Sequence, residues 1–158
     1  MKPLLEVRHL SISFHTYRGL LEAVHAVSLT VHAGETVGIV GESGCGKSVT
    51  SQAVMKLLPQ RAAEYQSGEI LWEGRDILPL SERDMNGLRG RDMAMIFQAP
   101  MTSLNPVLTI GAQLCEGLAL YQKLSKNEQR EKALELLKAV GLTSPEKQIG
   151  RASCRERV

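Results

Sequence analysis

The chain has 158 residues, 43% of them hydrophobic and 23% charged, with a formal net charge of +2. That length fits one domain or part of a larger one, and the composition excludes a disordered chain, a collagen-like repeat and a coiled-coil rod. The slight basicity comes from residues 150–158, which hold Arg151, Arg155 and Arg157 against Glu156; without them the two signs balance, so charge makes no case for nucleic-acid binding.

No apolar run approaches the ~18 residues of a membrane span, and MKPLLEVRHL lacks the long apolar stretch of a signal peptide. Cys45, Cys115 and Cys154 are odd in number and far apart. They imply neither a disulfide framework nor a metal site, and a reducing cytosol is the simplest compartment. His9, His15, His25 and His32 lack zinc-ligand spacing.

Taken in chain order, the first third reads as β. Leu10, Ile12 and Phe14 alternate with Ser11 and Ser13, and Val27, Leu29 and Val31 alternate with Ser28 and Thr30. Each set puts its apolar side chains on one face of a strand, with residues 15–23 as the hairpin connection. A turn at 32–35 leads into TVGIV (36–40), a short β-branched run that suits a strand buried on both faces. A helix is expected over about Lys47 to Leu58, with Val49, Ala53 and Leu57 on one stripe, Val54 and Leu58 beside it, and Pro59 as its stop. GEILWEGRDI (68–77) reads as a strand followed by a turn at Gly74, and MAMIF (93–97) as a second buried strand with Gln98 just past its end. Met93, Met95 and Trp72 are expected in core or half-buried strand positions. Ser125 and Glu128 form a capping box for a helix carrying Ala133, Leu134, Leu136, Leu137 and Val140, with Gly141 as its C′ residue.

Between the run 36–40 and the first helix lies GESGCGKS (41–48), a match to G-x-x-x-x-G-K-[ST]. Gly41, Gly44 and Gly46 allow positive φ, so successive backbone N–H groups can turn inward as an anion nest. The helix N-terminus adds roughly half a positive charge. Lys47 can reach β- and γ-phosphates, and the Ser48 hydroxyl is placed to ligate Mg²⁺. Cys45 stands inside this loop, either as a reactive thiol or as a plain small residue. The spacing does not fit a dinucleotide fingerprint.

GIVGESGCGKS followed fifty residues later by MIFQAPMTSLNP resembles the ATP-binding subunit of an ABC transporter, in particular the dipeptide/oligopeptide importer group, over about residues 4–149. The resemblance implies an α/β P-loop NTPase fold of the ABC ATPase type: an antiparallel β subdomain, the start of a RecA-like core and a helical subdomain, truncated. It implies that ATP is held by Gly41, Glu42, Ser43, Gly44, Cys45, Gly46, Lys47, Ser48 and Val49, with Phe14 stacking on adenine and Tyr17 as a second candidate ring. Lys47 and Gln98 would be catalytic, and Ser48 and Gln98 would hold Mg²⁺. Residues Ala99 to Pro106 would lie near the membrane-subunit interface. Relatives often carry an acidic residue where Ala99 stands.

The implied partners are two transmembrane permease subunits, a second ATP-binding subunit in a head-to-tail dimer and, indirectly, an extracytoplasmic solute-binding protein, at the cytoplasmic face of the membrane. The implied role is ATP hydrolysis driving import of di- or oligopeptides; nickel, glutathione or another small solute is the alternative cargo. A GTPase, suggested by the D-x-x-G match at Asp84 and Gly87, lacks a base-reading motif. A DNA-repair ATPase is disfavoured by the neutral charge and by MTSLNP.

The chain has no strand ending in Asp-Glu, no Ser-Gly-Gly signature and no histidine after the phosphate loop. The 158 residues by themselves are therefore expected to bind nucleotide without hydrolysing it. Residues 1–149 are expected to be the N-terminal part of an ATP-binding domain and 150–158 (GRASCRERV) a non-native tail. Without later parallel strands, 36–40 would lack a sheet neighbour and leave apolar surface open, which predicts marginal stability.

Overall fold

The computed structural model describes residues 2–98, 104–122 and 124–150. The chain divides into two compact units, Met1–Met93 and Ala94–Val158.

In the first unit, β1 (Leu5–Thr16) and β2 (Gly19–Val31) form a long antiparallel hairpin, paired from Leu5 with Val31 to Thr16 with Gly19. Its connection is only Tyr17 and Arg18, much shorter than the expected 15–23. The Thr16 hydroxyl donates to the Gly19 carbonyl at 2.7 Å, and Gly19 takes a φ of 114°. These close the turn, so residues 19–22 pair as strand.

β3 (Ala63–Trp72) pairs antiparallel on the other edge of β1, and β4 (Arg75–Asp76) completes the order β2-β1-β3-β4. The turn at Glu73 and Gly74 has φ of 51° and 83°, the positive pair a two-residue I′ hairpin requires. The serines of β1 are not on an exposed face: Ser11 and Ser13 are buried beside Leu10 and Ile12. β1 is central, and its register shifts between Val7 and Leu10. The Ser11 hydroxyl accepts the Ala26 N–H at 2.9 Å across this irregularity. Opposite it, a side chain at Gly68 would lie 2.6 Å from the Arg8 carbonyl, so only glycine fits.

α1 (Lys47–Val54) is shorter than expected. Lys56 adopts a left-handed φ of 49°, and the Lys56 and Leu57 N–H groups turn back to the Ala53 and Gln52 carbonyls, both at 2.9 Å. That is a Schellman end, closed before Pro59 can act. α2 (Glu82–Leu88) is capped by Ser81, whose hydroxyl accepts the Asp84 N–H. Asp84 and Gly87 are thus turns of a helix, not a GTPase loop. Val7, Leu10, Ile12, Val24, Ala53, Met55, Leu58, Ile70, Ile77, Met85 and Met93 are the buried apolar residues of this unit. Trp72 is half-buried.

Two expected strands are not strands. Residues 36–40 and 94–97 carry no regular structure and no pairing, and Met93 makes only an isolated bridge to Arg89. Val40 is 96% and Ile96 is 94% exposed, the opposite of burial on both faces. A strand of that kind needs hydrogen-bonded neighbours, and no described strand pairs with either run.

In the second unit, α3 (Ile110–Tyr121) starts at Thr109, α4 (Lys126–Ala139) at Ser125 and α5 (Pro145–Gln148) at Ser144. The Ser125–Glu128 capping box forms, and Gly141 has a φ of 79° at the C′ position of α4. Ala133, Leu137 and Ile149 make a small core with Ile110, Leu114, Cys115, Leu118 and Leu134. Leu136 and Val140 of the expected stripe are exposed. The tail 151–158 lies outside the described residues.

Candidate phosphate-binding site

The loop from Gly41 to Gly46 carries no regular structure and runs directly into α1. Gly44 and Gly46 have φ of 85° and 91°. Gly41 does not have a positive φ, contrary to expectation. Its requirement is space: a side chain there would meet Cys45 Sγ at 2.7 Å. Gly46 has both constraints, since a Cβ would also sit 2.6 Å from the Ala23 carbonyl. That contact seats the loop on β2.

Lys47 Nζ donates to the Gly41 carbonyl at 2.7 Å and the Glu42 carbonyl at 2.6 Å, and lies 3.4 Å from Cys45 Sγ. The ammonium therefore closes the loop on itself. The Thr50 N–H and hydroxyl both reach the Gly46 carbonyl, at 2.8 and 3.0 Å, which fixes the first turn of α1. Gly41, Glu42, Ser43, Gly44, Cys45 and Ser48 are exposed, while Val49 is half-buried. The Gly44, Gly46, Lys47 and Ser48 N–H groups have no protein acceptor among the described residues. Such donors at a helix N-terminus, with an adjacent ammonium, suit a polyphosphate.

Phe14 is half-buried in β1, opposite Leu21 and Ala63. Leu21 is two residues from Ala23, so Phe14 is on the part of the hairpin that seats the loop. Tyr17 is exposed at the turn, with Arg18 over its ring at 5.2 Å. Gln98 is exposed and belongs to the second unit, whereas Ser48 belongs to the first. Of the stretch 99–106, residues 99–103 lie outside the described residues. Asn105 is held by Gln113, which accepts the Asn105 N–H at 2.8 Å and donates to its carbonyl at 3.0 Å.

His15, His25 and His32 are paired with Glu64, Glu22 and Glu35 at 2.9, 2.7 and 3.0 Å. The hydrogen bonds from His32 hold the Glu35 carboxyl below its ordinary pKa. No group of three or more His, Cys, Asp or Glu among the described residues could hold a metal ion. Any Mg²⁺ here would depend on hydroxyl, amide and phosphate oxygens, a donor set that suits this ion.

Sequence reading missed the far end of α1. Arg89 donates from Nε to the Met55 carbonyl at 2.8 Å and from Nη2 to the Lys56 carbonyl at 2.9 Å. Lys56 Nζ donates to the Leu78 and Leu80 carbonyls, both at 2.7 Å. No local pattern signals these bonds. The left-handed lysine at the helix end could only have been suspected from the early helix stop.

The glycine-shaped loop, the orphan donors and Lys47 define a P-loop phosphate-binding unit. The family model for the ABC transporter matches residues 24–155, and the chain belongs to that family. It is 51% identical over 146 residues to the oligopeptide transport ATP-binding protein OppD of Bacillus subtilis, covering 92% of this chain and 41% of that protein. It is 50% identical over 145 residues to the dipeptide transport ATP-binding protein DppD of the same organism, covering 92% of this chain and 43% of that protein. The chain thus spans about two fifths of the length of these relatives. In fold it resembles the ATP-binding cassette MJ0796 in a dimeric post-hydrolysis state bound to ADP and Pi. The TM-score is 0.79 at 23% identity, with 94% of this chain and 61% of that one covered. The structure is a partial ABC ATPase domain, with the antiparallel sheet, phosphate loop and helices of that fold.

Proposed function

We propose that the chain is the nucleotide-binding part of an ATPase subunit that energises an importer of di- or oligopeptides. The observation that carries this is the loop 41–48, whose geometry fits a polyphosphate, in a chain half identical to OppD and DppD. Gly44, Gly46, Lys47 and Ser48 would bind the phosphates through backbone N–H groups, and the Lys47 ammonium would move from the loop carbonyls to the β- and γ-phosphates. Phe14 would stack on adenine, a modest contribution by analogy with base stacking in single-strand sites. Ser48 would hold Mg²⁺, which neutralises phosphate charge when bound.

The proposed partners are two permease subunits, a second ATPase subunit docked head to tail, and a solute-binding protein acting through the permease. The proposed location is the cytoplasmic face of the membrane. Among the described residues no helix is long and apolar enough to cross a membrane.

The test is peptide uptake in a strain lacking the gene, together with Mg-ATP binding by the purified intact gene product. The gene product should bind Mg-ATP and restore uptake, and Lys47→Ala should lose both. No binding, or uptake restored equally by Lys47→Ala, overturns the reading.

A further inference from the structure

We infer that Arg89 is a positioning residue for the phosphate loop: its guanidinium grips the C-terminal end of α1 and so sets the direction in which the N-terminal donors of that helix point. The inference rests on the phosphate-binding reading of residues 41–48.

α1 has only eight residues. At 1.5 Å per residue its two ends are roughly 12 Å apart, and so short a helix has little rigidity from its own hydrogen bonds. Its direction must come from what holds its ends. At the N-terminus, Gly46 rests against the Ala23 carbonyl. At the C-terminus, two side chains from outside the helix make three hydrogen bonds to the carbonyls at its end. Tyr65 Oη donates to the Ala53 carbonyl at 3.3 Å, and Arg89 donates to the Met55 and Lys56 carbonyls at 2.8 and 2.9 Å. The Ala53 carbonyl already accepts the Lys56 N–H, whereas the Met55 and Lys56 carbonyls are groups that a helix end leaves without partners.

Arg89 is itself held. Its Nη1 donates to Glu82 Oε2 at 2.8 Å and to Asn86 Oδ1 at 3.3 Å, so the planar fork is oriented before it reaches α1. The link is reciprocal, because Lys56 of the same helix end binds the Leu78 and Leu80 carbonyls on the way into α2. The chain after Arg89 closes tightly, with the Gly90 N–H on the Met93 carbonyl at 2.7 Å and the Met93 N–H on the Leu88 carbonyl at 3.0 Å. Arg89 is therefore fixed on both sides of its sequence position. A cation at this end also complements the helix dipole whose positive end faces the phosphates.

The test is calorimetric titration of the intact gene product with Mg-ATP and, separately, with inorganic triphosphate, well below the melting temperature of every variant. Arg89→Ala should weaken both ligands by about tenfold, a loss in the range seen when outer supports of a binding group are removed. Arg89→Lys should recover part of that loss, since one ammonium can reach one carbonyl but cannot supply the fork. A purely structural role predicts a lower melting temperature with unchanged affinity for both ligands, and that result overturns the inference. If Arg89→Ala does not fold, Glu82→Gln and Arg89→Lys decide it, since both keep a cation at the helix end. Intermediate triphosphate affinities support positioning, and wild-type affinities in both overturn it. Lys47→Ala separates the two readings: if the wild type binds neither ligand, the phosphate-binding reading fails and this one with it. If the wild type binds and Lys47→Ala does not, while Arg89→Ala binds like the wild type, only the role of Arg89 fails.

Discussion

Lys56 is the residue whose substitution tests the local geometry most directly. It stands at the C′ position of α1 with a φ of 49°, where glycine is the usual occupant. A non-glycine residue there costs ~1–2 kcal/mol. The lysine offsets this through its ammonium, which donates to the Leu78 and Leu80 carbonyls at 2.7 Å each. Hydrogen bonds to charged groups contribute ~1.5–3 kcal/mol each, and immobilising a lysine side chain costs up to ~2 kcal/mol. Taking the low end for these half-buried bonds, Lys56→Ala should lose about 2 kcal/mol. Lys56→Gly also loses the ammonium but relieves the left-handed strain, less the ~0.4–1 kcal/mol that glycine adds to unfolded-chain freedom. It should therefore be about 0.5–1 kcal/mol more stable than Lys56→Ala, and still less stable than the parent. Urea unfolding of the three proteins, fitted with a common slope, measures the order. If alanine equals the parent, the ammonium makes no useful bonds; if alanine matches or exceeds glycine, residue 56 is not left-handed.

Other outcomes follow from single contacts. Gly46→Ala should abolish Mg-ATP binding and lower the melting temperature, because its Cβ would lie 2.6 Å from the Ala23 carbonyl at a φ of 91°; binding at wild-type affinity would refute the seating of the loop on β2. Burial pushes the Tyr65 phenol from 10.0 up to about 12. Its contribution is full below about pH 10 and is lost as pH rises towards 12, where the unfolded chain releases a proton that the folded one keeps. Tyr65→Phe should flatten the alkaline fall in stability across that window, and an unchanged pH profile by circular dichroism would show that another group causes it. Cys45 is exposed in the loop, so maleimide labelling mapped to Cys45 should be blocked by Mg-ATP; labelling at the same rate with and without nucleotide would place the phosphates elsewhere.

What could be read from the sequence is what local chemistry determines. The loop 41–48, the turn at Gly74 and the Ser125–Glu128 box each specify their conformation within a few residues, and the positive φ of Gly44, Gly46 and Gly74 and the capping box are found where expected, whereas that of Gly41 is not. β1 was legible as a strand, but the burial of Ser11 and Ser13 was not, because it depends on β1 being central and irregular. Ala63 to Ser67 reads as polar and gave no strand signal, yet it pairs because β1 offers a second edge there. α3 escaped notice although Thr109, its N-cap, accepts the Ala112 N–H at 3.1 Å. The Arg89 and Lys56 bonds join residues 22 to 34 positions apart, beyond the reach of any periodicity.

The two apolar runs that did not become strands separate two kinds of structural requirement. A strand is stabilised by its neighbours, so 36–40 and 94–97 remain unpaired and without regular structure despite β-branched or apolar composition. The phosphate loop between 36–40 and α1 nonetheless takes its shape, because its supports lie elsewhere. Lys47 closes it onto Gly41 and Glu42, Thr50 fixes the first helical turn, and Ala23 of the antiparallel hairpin carries Gly46. The far end of α1 is held by Tyr65 of β3 and by Arg89. Every one of these contacts belongs to the first unit, and none requires 36–40 to be in a sheet. The geometry for gripping phosphate is therefore built by the antiparallel sheet and the α1–α2 clamp, independently of any sheet pairing by residues 36–40.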